Sequence, residues 1–215
     1  MKKNILICPL NWGLGHATRC VPIIRELLKS EHNVIIAADK APLAFLQKEF
    51  PDLKSIRFPG FEPVYSESNS QVFKLLKSIP NALINFKKEH KTIEKIVDDY
   101  NIDLIISDNR FGCWSKKVHS IYITHQLHIQ VPKYLQWTYP IVNQFHKKYI
   151  NKYDELWIPD IEDEPSLSGK LSHPADIKIK TNYIGFLSRF SSEIKNEIKY
   201  DNSDFINFVE NCDEK

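Results

Sequence analysis

The chain has 215 residues, of which 42% are hydrophobic and 26% are charged. These fractions exclude a disordered tail, a fibrous repeat and a disulfide-stapled miniprotein, and they leave enough apolar material for a globular core. The 29 Lys and Arg residues against 27 Asp and Glu give a net charge of +2, which disfavours a nucleic-acid-binding protein. We therefore expect no nucleic-acid partner.

Short β-branched runs alternate with helical stretches, and this alternation predicts an α/β fold: a Rossmann-like parallel sheet with helices on both faces. The predicted strands are 4–9, 33–38, 53–58, 102–107, 120–124, 155–158 and 183–184. The predicted helices are 16–30, 42–50 and 71–100, the last of them ended or kinked at Pro80. The aromatic stretch 126–139 has no clear period, and 160–176 is predicted to be a loop.

The composition changes after Arg189, where a polar stretch with one amphipathic piece around 205–209 begins. We therefore expect one domain over residues 1–190, followed over 191–215 by a linker or the start of a further domain. The four cysteines have unrelated spacings, which is typical of reduced thiols in the cytoplasm. The apolar run after Met1 stops at Pro9, too early for a signal peptide, and no window is apolar enough to span a membrane.

Two of the six glycines, Gly13 and Gly15, lie between the first predicted strand and the first predicted helix. Their position indicates special backbone angles or the close approach of another group. Ligands of open parallel sheets bind beyond the carboxyl ends of the strands, next to turns of this kind. A dinucleotide site, with Asp39 as the ribose ligand, is one interpretation. It is weakened because Thr18 replaces the third glycine and because His16 would crowd a pyrophosphate.

The favoured interpretation of this turn centres on His16. An imidazole on a loop at the carboxyl edge of a sheet can act as a general base near neutral pH, and it needs an orienting partner. Asp108 follows the predicted strand 102–107 and is therefore expected at the same edge. In the alternative interpretation, His16 caps the first helix and Asp108 caps a helix that starts near Arg110.

Three further features have two interpretations each. His125 is either an acceptor contact or a hydrogen-bonded core histidine, and Arg110 either binds an acceptor phosphate or forms a salt bridge on a helix surface. The aromatic and basic segment 133–148 either docks on an anionic membrane surface or, as we favour, packs as a connection in the core. His125 and His128 lack a carboxylate or thiol at ligand spacing, so we expect no metal site.

Four segments together point to a family. They read Gly-Leu-Gly-His-Ala-Thr-Arg at 13–19, Ser-Asp-Asn-Arg-Phe-Gly at 107–112, Ile-Thr-His-Gln at 123–126 and Tyr-Ile-Gly-Phe-Leu-Ser-Arg-Phe at 183–190. They resemble the acceptor-side, N-terminal domain of GT-B glycosyltransferases, and within these the family 28 type is most similar. Leu127 departs from that family's pattern after the third segment.

The resemblance implies an inverting, metal-independent hexosyl transfer from a nucleotide sugar, expected to be a UDP-sugar, to an acceptor hydroxyl, with no cofactor. His16 would be the base or a phosphate contact, and Asp108 its orienting acid. The acceptor-binding residues implied are Gly13, Gly15, Asn109, Arg110, His125 and Gln126.

The resemblance also places the donor site in a C-terminal domain that this sequence lacks. The chain is therefore expected to be the acceptor-binding half of a truncated or split enzyme, inactive without its donor half. Its partners would be the nucleotide-sugar donor, a sugar or lipid-linked acceptor and the inner membrane face. A non-catalytic anchoring subunit of a split glycosyltransferase is one alternative function, and a dinucleotide-binding oxidoreductase domain is another.

Overall fold

The computed structural model describes residues 2–61, 71–163, 166–173 and 177–190. The sheet of this part has seven strands: β1 (Asn4–Pro9), β2 (Asn33–Ala38), β3 (Lys54–Arg57), β4 (Leu104–Asp108), β5 (His119–Ile123), β6 (Glu155–Ile158) and β7 (Lys180–Tyr183). Their order is β3-β2-β1-β4-β5-β6-β7, and every pairing is parallel. The predicted α/β fold is confirmed, whereas the predicted linker over 191–215 lies outside the described residues.

Within the described residues, four α-helices connect the strands: α1 (Leu14–Lys29), α2 (Lys40–Glu49), α3 (Gln71–Tyr100) and α4 (Tyr139–Ile150). Short 3-10 helices cover Lys133–Thr138 and Gly169–Leu171. None of the described helices has the length and apolar content needed to cross a membrane.

The central strands of the sheet are buried on both faces. Successive residues of a strand point to opposite sides of the sheet, and apolar side chains pack on each side. In β1, Ile5 belongs to the cluster that contains Ile24 of α1, whereas Leu6 belongs to the cluster that contains Ile93 of α3. Helices therefore cover both faces, as the continuously apolar strand sequences predict.

Helix α3 does not end at Pro80, contrary to one of the two outcomes predicted for it. A proline removes only one backbone N–H donor from a helix interior. Beyond it, Ile93, Ile96 and Val97 of α3 are buried in the core, and this packing holds the second half of the helix on the sheet.

Helix α4 is missing from the predicted elements, and the segment before it is not packed in the core. Tyr134 and Trp137 are 68% and 70% exposed, so the favoured interpretation of this segment as a core connection is wrong. The face that α4 buries carries Asn143, His146 and Ile150. These positions have helical spacing, but two of the three are polar, which hides the helix from a search for apolar periodicity.

Candidate active site

The candidate site lies where three central strands end. In the register of the sheet, Pro9 of β1 pairs with Asp108 of β4, and Asp108 pairs with Ile123 of β5. The three strands thus end level with one another, and the loops that follow them carry the predicted site residues. This common edge explains how positions far apart in the sequence come together.

The glycine turn after β1 shapes the start of α1. Gly13 is the N-cap of α1 with a φ of 152°, in the left-handed region that favours glycine. A Cβ built on Gly13 or on Gly15 meets nothing within 4 Å. No side chain of the described residues caps α1, and its first turn holds no acidic residue. The first N–H groups of the helix, at the positive end of its dipole, therefore have no capping side chain among the described residues.

His16, Arg19, Asp108 and His125 form a polar cluster at this edge. Nδ1 of His16 lies 3.2 Å from Oδ2 of Asp108. The Arg19 guanidinium donates to both oxygens of Asp108, from Nε at 3.0 Å and from Nη2 at 2.5 Å. The same guanidinium lies 2.8 Å from Nδ1 of His16 and 3.1 Å from Nδ1 of His125. The structure thus brings together the two histidines and the aspartate that the sequence singled out.

Burial differs sharply within this polar cluster. The side chain of Asp108 is fully buried, whereas that of His16 is 21% exposed. The carboxylate therefore sits behind the imidazole, away from solvent. Burial lowers the pKa of His125, and the neighbouring Arg19 cation lowers it further, so His125 is neutral near pH 7.

The alternative in which both groups merely cap helices does not fit these contacts. His16 is the third residue of α1 and makes no capping hydrogen bond. No helix starts near Arg110, since residues 109–132 hold only β5 and irregular backbone. Asp108 instead binds the side chains of α1.

Arg19 is the residue of this cluster that the sequence reasoning missed. It follows His16 by three positions, so the two side chains share one face of α1. Because His16 was already a candidate, this spacing could have identified Arg19 as a second site residue.

A cavity of about 150 Å³ lies on the same edge. Its apolar walls are Leu10, Trp12, Phe61, Phe86, Phe111 and Ile129. Trp12 is fixed by a hydrogen bond from Nε1 to the carbonyl of Phe61 and by an edge contact between the two rings. Three of the predicted acceptor residues line this cavity, namely Asn109, Arg110 and Gln126. His125 lies instead in the polar cluster.

Arg110 is buried rather than exposed on a helix surface. Its guanidinium donates to Oε1 of Glu89 at 2.8 Å and to the carbonyls of Phe58 and Pro59. A Cβ on Gly60 would come within 2.6 Å of Nη2, so this close approach requires glycine there. The proposed salt bridge on a helix surface is therefore corrected to a buried ion pair that joins the β4 loop to α3.

His146 of α4 also lines the cavity. Burial lowers the pKa of His146 to about 4, so its imidazole is neutral near pH 7. Its ring donates to the carbonyl of Leu127, and Nδ1 has no partner among the described residues. The sequence reasoning missed this residue as a cavity wall because it missed α4.

The described residues hold no group of three or more His, Cys, Asp or Glu side chains placed to share a metal ion. Asp39, the candidate ribose ligand of the dinucleotide interpretation, sits at the end of β2. Its Oδ1 accepts a hydrogen bond from Nε of Arg57 at 2.9 Å.

The seven-stranded parallel sheet with its connecting helices defines a Rossmann-like α/β domain. The sequence assigns it more narrowly: residues 4–151 match the family described as glycosyl transferase family 1, and the chain belongs to this family. A comparison with curated protein sequences finds no match.

Solved structures with the same fold are glycosyltransferases. UGT73P12 of Glycyrrhiza uralensis, complexed with glycyrrhetinic acid 3-O-monoglucuronide, is similar with a TM-score of 0.58 and 10% identity, over 91% of this chain and 51% of that chain. UGT89C1 of Arabidopsis thaliana, complexed with UDP-L-rhamnose, is similar with a TM-score of 0.58 and 14% identity, over 94% of this chain and 57% of that chain. The chain thus spans about half the length of these structures.

Proposed function

We propose that this domain is the acceptor-binding half of an inverting, metal-independent glycosyltransferase that transfers a hexosyl group from a UDP-sugar to an acceptor hydroxyl. The observation that carries the proposal is the meeting of His16 with the buried Asp108 at an open edge, beside a cavity with aromatic walls. The family assignment supports a transferase. The closer likeness to family 28 remains a prediction from the sequence segments.

In the proposed reaction, the acceptor oxygen bonds to the anomeric carbon of the donor while the bond from that carbon to the nucleotide diphosphate breaks. As base, His16 takes the acceptor proton on Nε2, and Asp108 stabilises the imidazolium that forms. With its proton on Nε2, the same imidazole would instead donate a hydrogen bond to a phosphate. The uncapped N-terminus of α1 suits the departing diphosphate, because its N–H groups and dipole favour anions.

The cavity suits an acceptor that combines a ring or apolar body with hydroxyl groups. Its apolar walls are mainly aromatic, and Asn109 and Gln126 add side-chain amides to the lining. Sites of this composition bind through apolar contact and take their orientation from a few polar groups. Both a sugar and a lipid-linked acceptor satisfy this description.

The donor is proposed to bind a second GT-B domain, in the same or a separate chain, because the solved relatives are about twice as long as this chain. The isolated chain should then transfer no sugar, and activity should appear when a donor-binding half is supplied. The test measures UDP release from candidate UDP-sugars by the chain alone and by the reconstituted pair. Robust turnover by the chain alone would contradict the proposal.

Two controls separate the alternatives. In the reconstituted pair, His16→Ala should abolish most transfer, whereas a merely anchoring subunit would tolerate this change. A thermal-shift comparison of UDP-sugars with nicotinamide cofactors addresses the oxidoreductase alternative, since a dinucleotide-binding domain would be stabilised by the latter.

We further propose that the domain contacts an anionic membrane surface when its acceptor is lipid-linked. The patch consists of Tyr134, Trp137 and Ile141, all more than 60% exposed, with Lys147 and Lys148 in the last turn of α4. Exposed aromatic rings and lysines within one short stretch of chain are suited to the headgroup region of a bilayer.

A further inference from the structure

The Arg19 guanidinium contacts three other residues of the polar cluster at once. Its guanidinium donates to both carboxylate oxygens of Asp108, at 3.0 and 2.5 Å. The paired oxygens fix the plane of the guanidinium, because a carboxylate and a guanidinium match as two parallel hydrogen bonds. In that fixed position, Nη2 also lies 2.8 Å from Nδ1 of His16.

The contact between Arg19 and His16 restricts where the histidine carries its proton. A guanidinium in a protein donates hydrogen bonds and accepts none. A hydrogen bond from Nη2 therefore requires a lone pair on Nδ1 of His16, and the proton of the neutral ring then sits on Nε2. A proton on Nδ1 would instead point one donor at another across 2.8 Å.

Asp108 competes for the same nitrogen but is placed less favourably. Its Oδ2 lies 3.2 Å from Nδ1, farther than the Arg19 nitrogen, and this oxygen already accepts from Nε of Arg19. His125 obeys the same rule, since its Nδ1 lies 3.1 Å from Nη1 of Arg19. Arg19 thus faces a lone pair on each of the two imidazoles.

We propose that Arg19 is a positioning residue that sets the tautomer of His16, holding the free protein in the form with the proton on Nε2. The meaning of this tautomer for catalysis rests on the proposed function. In the form held by Arg19, His16 presents a hydrogen-bond donor to the cleft, not a base. The base form requires Arg19 to release Nδ1 of His16. The proton on Nε2 then passes to solvent, and a proton from solvent binds Nδ1. The new Nδ1–H group donates a hydrogen bond to Asp108.

The tautomer can be measured directly by long-range ¹H–¹⁵N correlation NMR on the ¹⁵N-labelled 215-residue chain, at a pH where the imidazoles are neutral. Two histidines supply internal references. His90 must carry a proton on Nδ1, because this atom lies 3.0 Å from the carbonyl oxygen of Trp114. His146 donates to the Leu127 carbonyl and leaves Nδ1 unpartnered, so its proton is on Nε2. We expect His16 to show the pattern of His146.

Two variants test whether Arg19 is the cause. Arg19→Met removes all donors at similar length, and Arg19→Lys keeps the charge but loses the planar fork. Both should move the His16 proton to Nδ1, giving the pattern of His90, whereas a role of Arg19 as a charge alone would leave the Lys variant unchanged. His16→Gln assigns the signals.

A wild-type spectrum in which His16 shows the pattern of His90 overturns the proposal, even if neither variant folds. So does a folded Arg19→Met chain in which the His16 pattern is unchanged. None of these measurements depends on sugar transfer, so the inference about the tautomer and the proposed function can fail separately.

Discussion

His16 stands in the first turn of α1, three residues beyond Gly13, with a buried carboxylate behind it and the open edge of the sheet in front. Such an imidazole gains less from packing than a core side chain does, because 21% of its surface stays exposed. We therefore expect the His16 side chain to contribute to the reaction more than to the stability of the fold.

The first prediction follows from this position. In the reconstituted enzyme, His16→Ala should lower kcat by about 10²-fold or more, the usual cost of losing a general base or an equivalent contact. The melting temperature of the isolated chain should change little. Steady-state kinetics with saturating UDP-sugar measures the effect, and a loss smaller than about threefold would dismiss His16 from the reaction.

A second prediction concerns His146. Burial lowers its pKa from 6.5 to about 4, so the unfolded chain binds a proton here more readily than the folded one. Stability should therefore be fully present above about pH 6.5 and fall as the pH drops to about 4, by about 3 kcal/mol at most.

Urea unfolding at several pH values measures this slope, and His146→Gln should reduce it. Below about pH 4 both states of wild-type His146 are protonated, so the difference between the two proteins should stop changing there. An equally steep slope in the variant would assign the pH dependence to other groups.

The ion pair between Arg110 and Glu89 joins the loop after β4 to α3, which also packs on the sheet through Ile93, Ile96 and Val97. Both charges are buried. Removal of one partner from a buried pair leaves the other charge without compensation, which costs more than the pair contributes.

Glu89→Leu is therefore expected to lower the free energy of unfolding by about 3–5 kcal/mol. Glu94→Leu is the matched control, because Glu94 lies on the same helix and its ion pair, with Lys117 at 3.6 Å, is partly exposed to solvent. It should change stability far less. Denaturant unfolding measures the free energy of unfolding of both variants. Equal decreases would show that the buried pair matters no more for stability than the partly exposed one.

The elements also differ in how well the sequence predicts them. Strands β1, β2 and β6 have the predicted bounds, because strands buried on both faces are continuous apolar runs, and each of these runs begins at a polar residue: Asn4, Asn33 and Glu155. Helix α4 was not predicted, because its buried face carries the polar residues Asn143 and His146. Pro140, at the first turn of α4, was the local signal available for its start.

The candidate site was only partly predictable for a related reason. His16 and Asp108 follow predicted strands, and the ends of parallel strands share an edge, so their meeting could be predicted from topology. The bond from Arg19 to Asp108 depends on how α1 is rotated on the sheet. The cavity depends on rings from α3 and the β1 loop, whose side-chain directions the sequence pattern does not reveal.

The aromatic patch of Tyr134, Trp137 and Ile141 lies exposed on the surface of the domain. The membrane proposal makes a prediction: the chain should co-sediment with vesicles that contain phosphatidylserine, and salt should weaken binding because surface charges are screened. No binding to such vesicles at low salt would remove the membrane contact.

Trp137→Ser should reduce the bound fraction several-fold, since the ring contributes much of the apolar area of the patch. Leu167→Ser is the matched control, because Leu167 is even more exposed but lies in the loop after β6. If both changes reduce binding equally, the vesicles do not recognise this patch.

The separation of Arg19 and Asp108 by 89 positions has a consequence for biosynthesis. A ribosome adds about 5–20 residues per second, so the arginine is added to the chain roughly 4–18 seconds before its carboxylate partner. During that interval the nascent chain carries the glycine turn and the helix with an uncompensated cation at its start. The ion pair at the candidate site can therefore form only after β4 has been synthesised.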